Sequence, residues 1–516
     1  MEKKENKFVN FFISLGDKFV EFHKRFVDGS IGTKLSHFIC GAGNLGHKQF
    51  AKGFIYLILQ ILYVLFMVLC PEVNKTPFGY KAILNLKLEG SEGGMEIING
   101  RPVTTSPSDS TLMLLFGIVT IGITACYIVL WLSNIKSSYQ ADLRIQEGRK
   151  PSTFKEDCKE LLDNRFHVLM LTPTCIAALV FTILPTIFMI SMAFTTNNKI
   201  DMSSEGTNLF HWNGFQNFVY IFTGGSSLGT EIKARFLPVL SWTFIWAIFA
   251  TFTCYFGGIL LALLINKKGI KGKKIFRTIF IITIALPTFI SLLSVRFLLS
   301  SSGPINTMLK DLGWITESIP FLGLEVSGNN PVLAKAMIII INMWVGIPYT
   351  MLMVSGILMN IPEDLYEAAT VDGASKTKIF FKITLPYIIF VTTPYLISSF
   401  VGNINSFSII YLLTGGGPAV AGGTFRAGET DLLVTWLYKL TIDNGDYNTG
   451  AVIGIFTFII TATITLITYR RSKAYKEEDT FQWLIQMLLL KIVLLNVDYS
   501  QCLKKTSSEK SLLIFY

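Results

Sequence analysis

Glu367-Ala368-Ala369-Thr370-Val371-Asp372-Gly373, followed after nine residues by Ile383-Thr384-Leu385-Pro386, is a polar stretch set between two long apolar segments. Asn360 and Pro362 announce a helix start, because Asn can cap free N–H groups and Pro tolerates the first helical turn. Asp372-Gly373 reads as the stop, since glycine accepts the left-handed conformation that ends a helix. Ser375 can then cap a second short helix carrying Ile379, Phe380 and Ile383. The stretch predicts a helix, a bend and a helix lying outside a bilayer.

The flanks decide that placement. Of 516 residues, 51% are hydrophobic and only 16% charged, too apolar for a soluble enzyme, so the expected fold class is an all-α polytopic membrane protein. Eight segments approach the roughly 20 apolar residues that a crossing takes: 54–70, 112–132, 167–195, 239–266, 278–300, 333–359, 387–413 and 450–469. The N-terminus and the loops on its side carry roughly 29 Lys and Arg, the opposite loops roughly 10. The positive-inside rule therefore places both termini, and the Glu367 stretch, in the cytoplasm. It also accounts for the net charge of +10 without a nucleic-acid partner. Seven cysteines without a CxxC or regular spacing indicate neither a disulfide framework nor a metal site.

Four regions follow. Residues 1–53 are a cytoplasmic, basic, amphipathic region: Phe8, Phe12, Leu15, Phe19, Phe22 and Phe26 share one helical face, suited to the inner leaflet or to a protein surface. They lack the uninterrupted apolar core of a signal peptide. Gly41-Ala42-Gly43-Asn44-Leu45-Gly46 matches GxGxxG, yet no strand precedes it, so nucleotide binding is not expected. Residues 54–166 hold two spans and their loops, 167–476 a six-span core, and 477–516 a tail to which no role is assigned; its apolar run, 483–497, is short and interrupted by Lys491. Asn74-Lys75-Thr76 fits a glycosylation acceptor by chance.

The spans lack a carboxylate, which argues against an ion-coupled sugar carrier. Arg296 and Lys335 fall near outer ends, where long side chains reach water. A P-loop is also lacking, so any ATP is hydrolysed by another chain, and the protein is not expected to be an enzyme or to carry a cofactor.

As a pattern, E-A-A-x3-G-x9-I-x-L-P resembles the "EAA loop" of bacterial ABC importer permeases, the coupling helix that docks on a cytoplasmic ATPase. Glu367, Ala368, Ala369, Gly373, Ile383, Leu385 and Pro386 hold its fixed positions. Asn342-Met343-Trp344-Val345-Gly346-Ile347-Pro348-Tyr349, Asn403-Ile404-Asn405-Ser406-Phe407, Leu413-Thr414-Gly415-Gly416-Gly417-Pro418 and Thr430-Asp431-Leu432-Leu433-Val434 are similar to MalF-type subunits of maltose and maltodextrin importers. The resemblance covers about residues 112–476. It implies a type I importer core shared with a second, MalG-like permease, a cytoplasmic ABC ATPase dimer, an extracytoplasmic sugar-binding protein, surrounding membrane lipid and an oligosaccharide as cargo.

The resemblance also implies a sugar site midway across the membrane. Gly346, Tyr349 and Asn403 match the family motif directly; Gly402 stands where the pattern has an aromatic, and Ser406 where it has an amide. Aromatic faces, amides and hydroxyls suit a neutral sugar, although Gly, Ser and Asn also serve plain packing between membrane helices. The short outward loop 196–238 is similar to systems with a lipid-tethered binding protein. A permease for another sugar or for glycerol-phosphate remains the alternative within the family. A purely structural scaffold leaves the coupling stretch without a reason.

Overall fold

The computed structural model describes residues 7–73, 76–88, 94–98, 101–105, 109–197, 209–224, 227–267, 269–324, 331–420 and 427–471. Asn74, Lys75 and the tail from 472, including 483–497, lie outside the described residues. Seven described helices are long and apolar enough to cross a bilayer: Phe50–Leu69, Ser110–Gln146, Phe166–Met192, Gly229–Asn266, Pro331–Met359, Lys376–Ile404 and Tyr447–Arg470. They correspond to spans one to four and six to eight.

The fifth differs from expectation. Residues 278–300 do not form one straight crossing; helices Lys273–Ala285 and Thr288–Leu298 meet at 93°. The cause is local: Pro287 has no N–H to continue a ladder, and it drives Leu286 to an extended ψ of 133°. The seventh segment, expected over 387–413, is also interrupted. Its helix begins earlier, at Lys376, and ends at Ile404, and a separate helix, Phe407–Thr414, follows.

The chain divides into two compact units, Met1–Val219 with Asn444–Val452, and Tyr220–Asp443 with Ile453–Tyr516. In the first, the segment before Phe50 is stitched to helix Ser110–Gln146. Buried Asn134 accepts the Gly41 N–H at 2.8 Å and donates to the Ser36 carbonyl at 3.0 Å. Buried Asp142 accepts the Ser30 N–H at 3.0 Å and lies 2.6 Å from His47 Nε2. Two of the three GxGxxG glycines are explained by contact. A Cβ on Gly41, at φ +86°, would strike the Gly53 carbonyl, and one on Gly43 would strike Ser138 Oγ. The amphipathic stretch is a helix, Lys7–Val27, and part of its apolar face meets the protein itself: Phe22 packs on His37 and Trp131, while Phe19 stays exposed.

In the second unit, the fourth and sixth spans touch along a seam of small residues. Gly257 faces Ile347, Gly258 faces Thr350, and Gly346 faces Cys254, each too close for an added Cβ. Two cores flank the seam. Trp242, Trp246, Leu292, Ile338, Ile410 and Leu432 belong to one, and Tyr255, Ile259, Met351, Val354 and Ile388 to the other.

The motifs 413–418 and 430–434 fold together into one loop. Asp431, fully buried, accepts the Gly428 N–H at 2.7 Å and the Thr435 hydroxyl at 2.9 Å, and pairs with Lys439 at 2.7 Å. Its carboxyl occupies the place where a Cβ on Gly416, at φ +84°, would stand. Arg296 and Lys335 find partners in the protein rather than relying on water: Arg296 donates to the Leu412 carbonyl at 3.2 Å, and Lys335 pairs with Glu429 at 3.3 Å over the Trp242 ring. Arg235 completes this triad at 3.1 Å. Burial works against the charged Glu429, but Arg235 and Lys335 outweigh it and hold its carboxyl below the ordinary range. A depressed folded pKa means that this stabilisation is present above the unfolded-state value and is lost as pH falls through the folded one.

Gly258→Val tests the seam. Its new atoms meet the stiff Cβ of Thr350 rather than a flexible chain end, so the variant is expected to lose about 1–3 kcal/mol. A lowered thermal midpoint in detergent checks this, with Gly356→Ala, where nothing lies within 4 Å, as the control whose midpoint should not fall.

Candidate functional site

Two regions hold the residues singled out from the sequence. The first is the turn between the sixth and seventh spans. A helix runs Glu363–Val371, with Pro362 rather than Asn360 at its N-cap and with Glu363 and Asp364 in its first turn, where carboxylates favour the positive end of the helix dipole. Glu367 and Ala368 are exposed and Ala369 is half-buried; Val371 at the tip is 87% exposed. Gly373 adopts φ +75° with open space around it, so it serves backbone conformation and not packing.

Ser375 then caps the next helix by accepting the Lys378 N–H at 3.3 Å. That helix is not a separate short element, as expected, but the start of the seventh span. It passes through a wide turn at Phe380–Thr384, which includes Ile383, and continues through Leu385 and Pro386. Tyr366 and Thr384 hydroxyls lie 3.1 Å apart and fasten the exposed helix to this turn.

The second region is within the spans. Gly346 lies on the sixth span against Cys254. Asn403 stands at the break of the seventh and donates to Thr251 Oγ1 at 2.9 Å, while its carbonyl accepts Trp246 Nε1 at 3.1 Å. Thr251 and Cys254 are one turn apart on the fourth span, so Gly346 and Asn403 converge on one of its faces. The break also moves Asn403 from a helix interior to a helix end, where carbonyls lack intrahelical partners. Ser406 is the N-cap of the following helix, half-buried, without a side-chain bond to it.

Tyr349 is 52% exposed, one turn past Gly346. Its ring lies 5.7 Å from that of Tyr395 on the seventh span, and the Tyr395 hydroxyl is 3.4 Å from Thr350 Oγ1. Tyr395, Thr251 and Trp246 were missed in the sequence. A tyrosine inside an otherwise apolar run was the available signal for the first; the other two carry no pattern of their own. A cavity of about 500 Å³ also opens beside the sixth span, lined by Leu260, Leu264, Phe280 and Ile347 among others, with Thr283 its one hydroxyl. Its apolar walls do not offer a sugar the hydrogen bonds it needs. Among the described residues, no three His, Cys, Asp or Glu side chains gather as metal ligands do.

Continuous apolar helices, a broken pair and polar groups held inside the spans define a multi-pass membrane protein. Residues 254–474 match the binding-protein-dependent transport system inner membrane component. The maltodextrin transport system permease MalC of Streptococcus pneumoniae is 34% identical over 448 residues, 86% of this chain and 95% of its own. The galactooligosaccharides transport system permease GanP of Bacillus subtilis is 32% identical over 446 residues, 85% of this chain and 97% of its own. The maltose/maltodextrin permease MalF of Escherichia coli K12 is 36% identical over 265 residues, 50% of this chain and 49% of its own. The chain belongs to this inner-membrane permease family and is of the MalF type.

Thr251→Val keeps the shape of the residue but removes the acceptor for Asn403 Nδ2. The loss expected is ~1 kcal/mol of stability, the net contribution of one hydrogen bond. Thermal unfolding of the purified variant measures it, and an unchanged midpoint would contradict the bond.

Proposed function

We propose that this chain forms, with a second permease of its own kind, the membrane pathway of an ATP-driven importer for maltodextrin-type oligosaccharides. Both termini lie in the cytoplasm; helix Glu363–Val371 seats in a cleft of an ABC ATPase dimer, and a sugar-binding protein delivers cargo from outside. The observation that carries the reading is that exposed helix. It projects between two spans, exposes the small side chain of Ala368 and a carboxylate at Glu367, and is braced at one point by Tyr366. Small residues let a partner approach closely, and Glu367 offers it a counter-charge.

The maltodextrin cargo is supported by MalC and MalF among the relatives, and GanP supports an oligosaccharide of another sugar as the second reading. Tyr349 supplies a stacking face and Asn403 an amide, while Gly346 keeps the sixth span close to the fourth so that both stay in place. Uptake of labelled maltodextrins against galactooligosaccharides, by cells expressing the complete system, separates the two cargoes.

Glu367→Lys is expected to abolish co-purification of the ATPase while leaving the chain in the membrane. Normal uptake with normal ATPase binding would reject the docking role. For the cargo site, Tyr349→Ala and Asn403→Ala should assemble normally yet lower uptake per complex by about tenfold, the effect of ~1.4 kcal/mol. Transport at the rate of Thr457→Ala, a control in the eighth span, would show that these residues do not touch sugar.

A further inference from the structure

We propose that Asn266 is a positioning residue that links helix Glu363–Val371 to the first limb of the broken fifth segment, so that displacement of that helix moves the pathway. The proposal rests on the coupling role given to that helix above.

Asn266 is the last residue of the fourth span, and three elements meet on it. Its Nδ2 donates to the Ala262 carbonyl at 2.8 Å and to Ser355 Oγ at 3.0 Å. Its Oδ1 accepts Arg277 Nη2 at 3.0 Å, and its main-chain carbonyl accepts Lys273 Nζ at 3.2 Å. Ser355 is 2% exposed and stands four residues before Met359, one turn from the end of the sixth span, which leads directly into Glu363–Val371. Lys273 and Arg277 are one turn apart on the limb Lys273–Ala285, which ends at the 93° break. A cleft of about 730 Å³ adjoins the junction, lined by Asn266 and Lys267 and by Ile361, Glu363 and Tyr366 among others. The helix therefore has room to move against the junction.

The chemistry of the amide suits this place. An amide donates and accepts at once, and here it gives an N–H to Ser355 and an oxygen to Arg277. A carboxylate opposite Arg277 would attract over a distance whatever the angle, whereas an amide holds it through a directional bond that fails when either helix turns. Lys273 also meets a main-chain carbonyl freed at the end of the fourth span, where cations are favoured. The link thus transmits rotation and releases when its geometry is lost.

The test uses the full chain purified with its ATPase and second permease in proteoliposomes, reading ATPase binding, basal ATP hydrolysis and sugar moved per ATP. Asn266→Leu removes every side-chain bond; Ser355→Ala removes only the tie to the sixth span and serves alone if the leucine variant does not assemble. Both are expected to bind ATPase and hydrolyse ATP as the unsubstituted complex does, with sugar per ATP lowered about fivefold or more. Asn266→Asp, whose carboxylate attracts Arg277 without the directional amide bond and has no N–H for the Ala262 carbonyl, should leave the ratio low. An unchanged ratio in the assembled variants overturns the proposal, as does a ratio that falls only in step with ATPase binding, the mark of a packing residue. If the unsubstituted chain binds no ATPase, the coupling reading of Glu363–Val371 fails, and this inference with it.

Discussion

A backbone that breaks inside an apolar slab must find a partner for each polar group the break releases, because no water is there to supply one. The second unit meets that constraint with a single unbroken helix. The fourth span donates Trp246 Nε1 to the Asn403 carbonyl at the break of the seventh segment and Trp242 Nε1 to the Thr430 carbonyl in the folded loop, and its Thr243 hydroxyl accepts the Leu433 N–H. The break of the seventh segment and the folded loop are thereby completed by side chains of the helix that stays whole. The irregular elements of a transport pathway can exist here because one regular element is built to serve them.

The same helix explains why small residues recur at its contacts. An indole or hydroxyl reaches a neighbour's backbone only if the axes approach closely, and Gly257, Gly258 and Gly346 permit that approach. Removing side chains at one level allows hydrogen bonds at the next. The Tyr255 hydroxyl, 2.6 Å from Thr392 Oγ1, continues the pattern toward the other end of the span.

Much of this was legible from the residues. Six helices lie where long apolar runs placed them, since length and hydropathy are properties of a segment by itself. The bend at Gly373 was legible for the same reason: positive φ is a local demand. What escaped was cooperative. The break at Leu286-Pro287 was hidden in a run whose hydropathy alone passes for a crossing, although the proline was in view. The interruption after Ile404 has no proline to mark it and depends on partners such as Trp246, far along the chain. Likewise, two separately quoted motifs, 413–418 and 430–434, gave no sign that the carboxyl of Asp431 fills the space above Gly416. The candidate sugar residues were found through resemblance; the groups that hold them, Thr251 and Cys254, were not, because a threonine or cysteine in a span has many equivalent roles.

The contact of Gly346 with Cys254 carries a consequence for how such proteins diversify. The sulfur lies 2.6 Å from where a Cβ on Gly346 would be, so the two positions share one fixed volume. Neither can enlarge by itself, yet an exchange that moves bulk from one helix to the other leaves the axes where they are. Across related permeases the two positions should therefore vary as a pair, large against small, while the distance between the spans, and with it the height at which Tyr349 stands, is inherited unchanged.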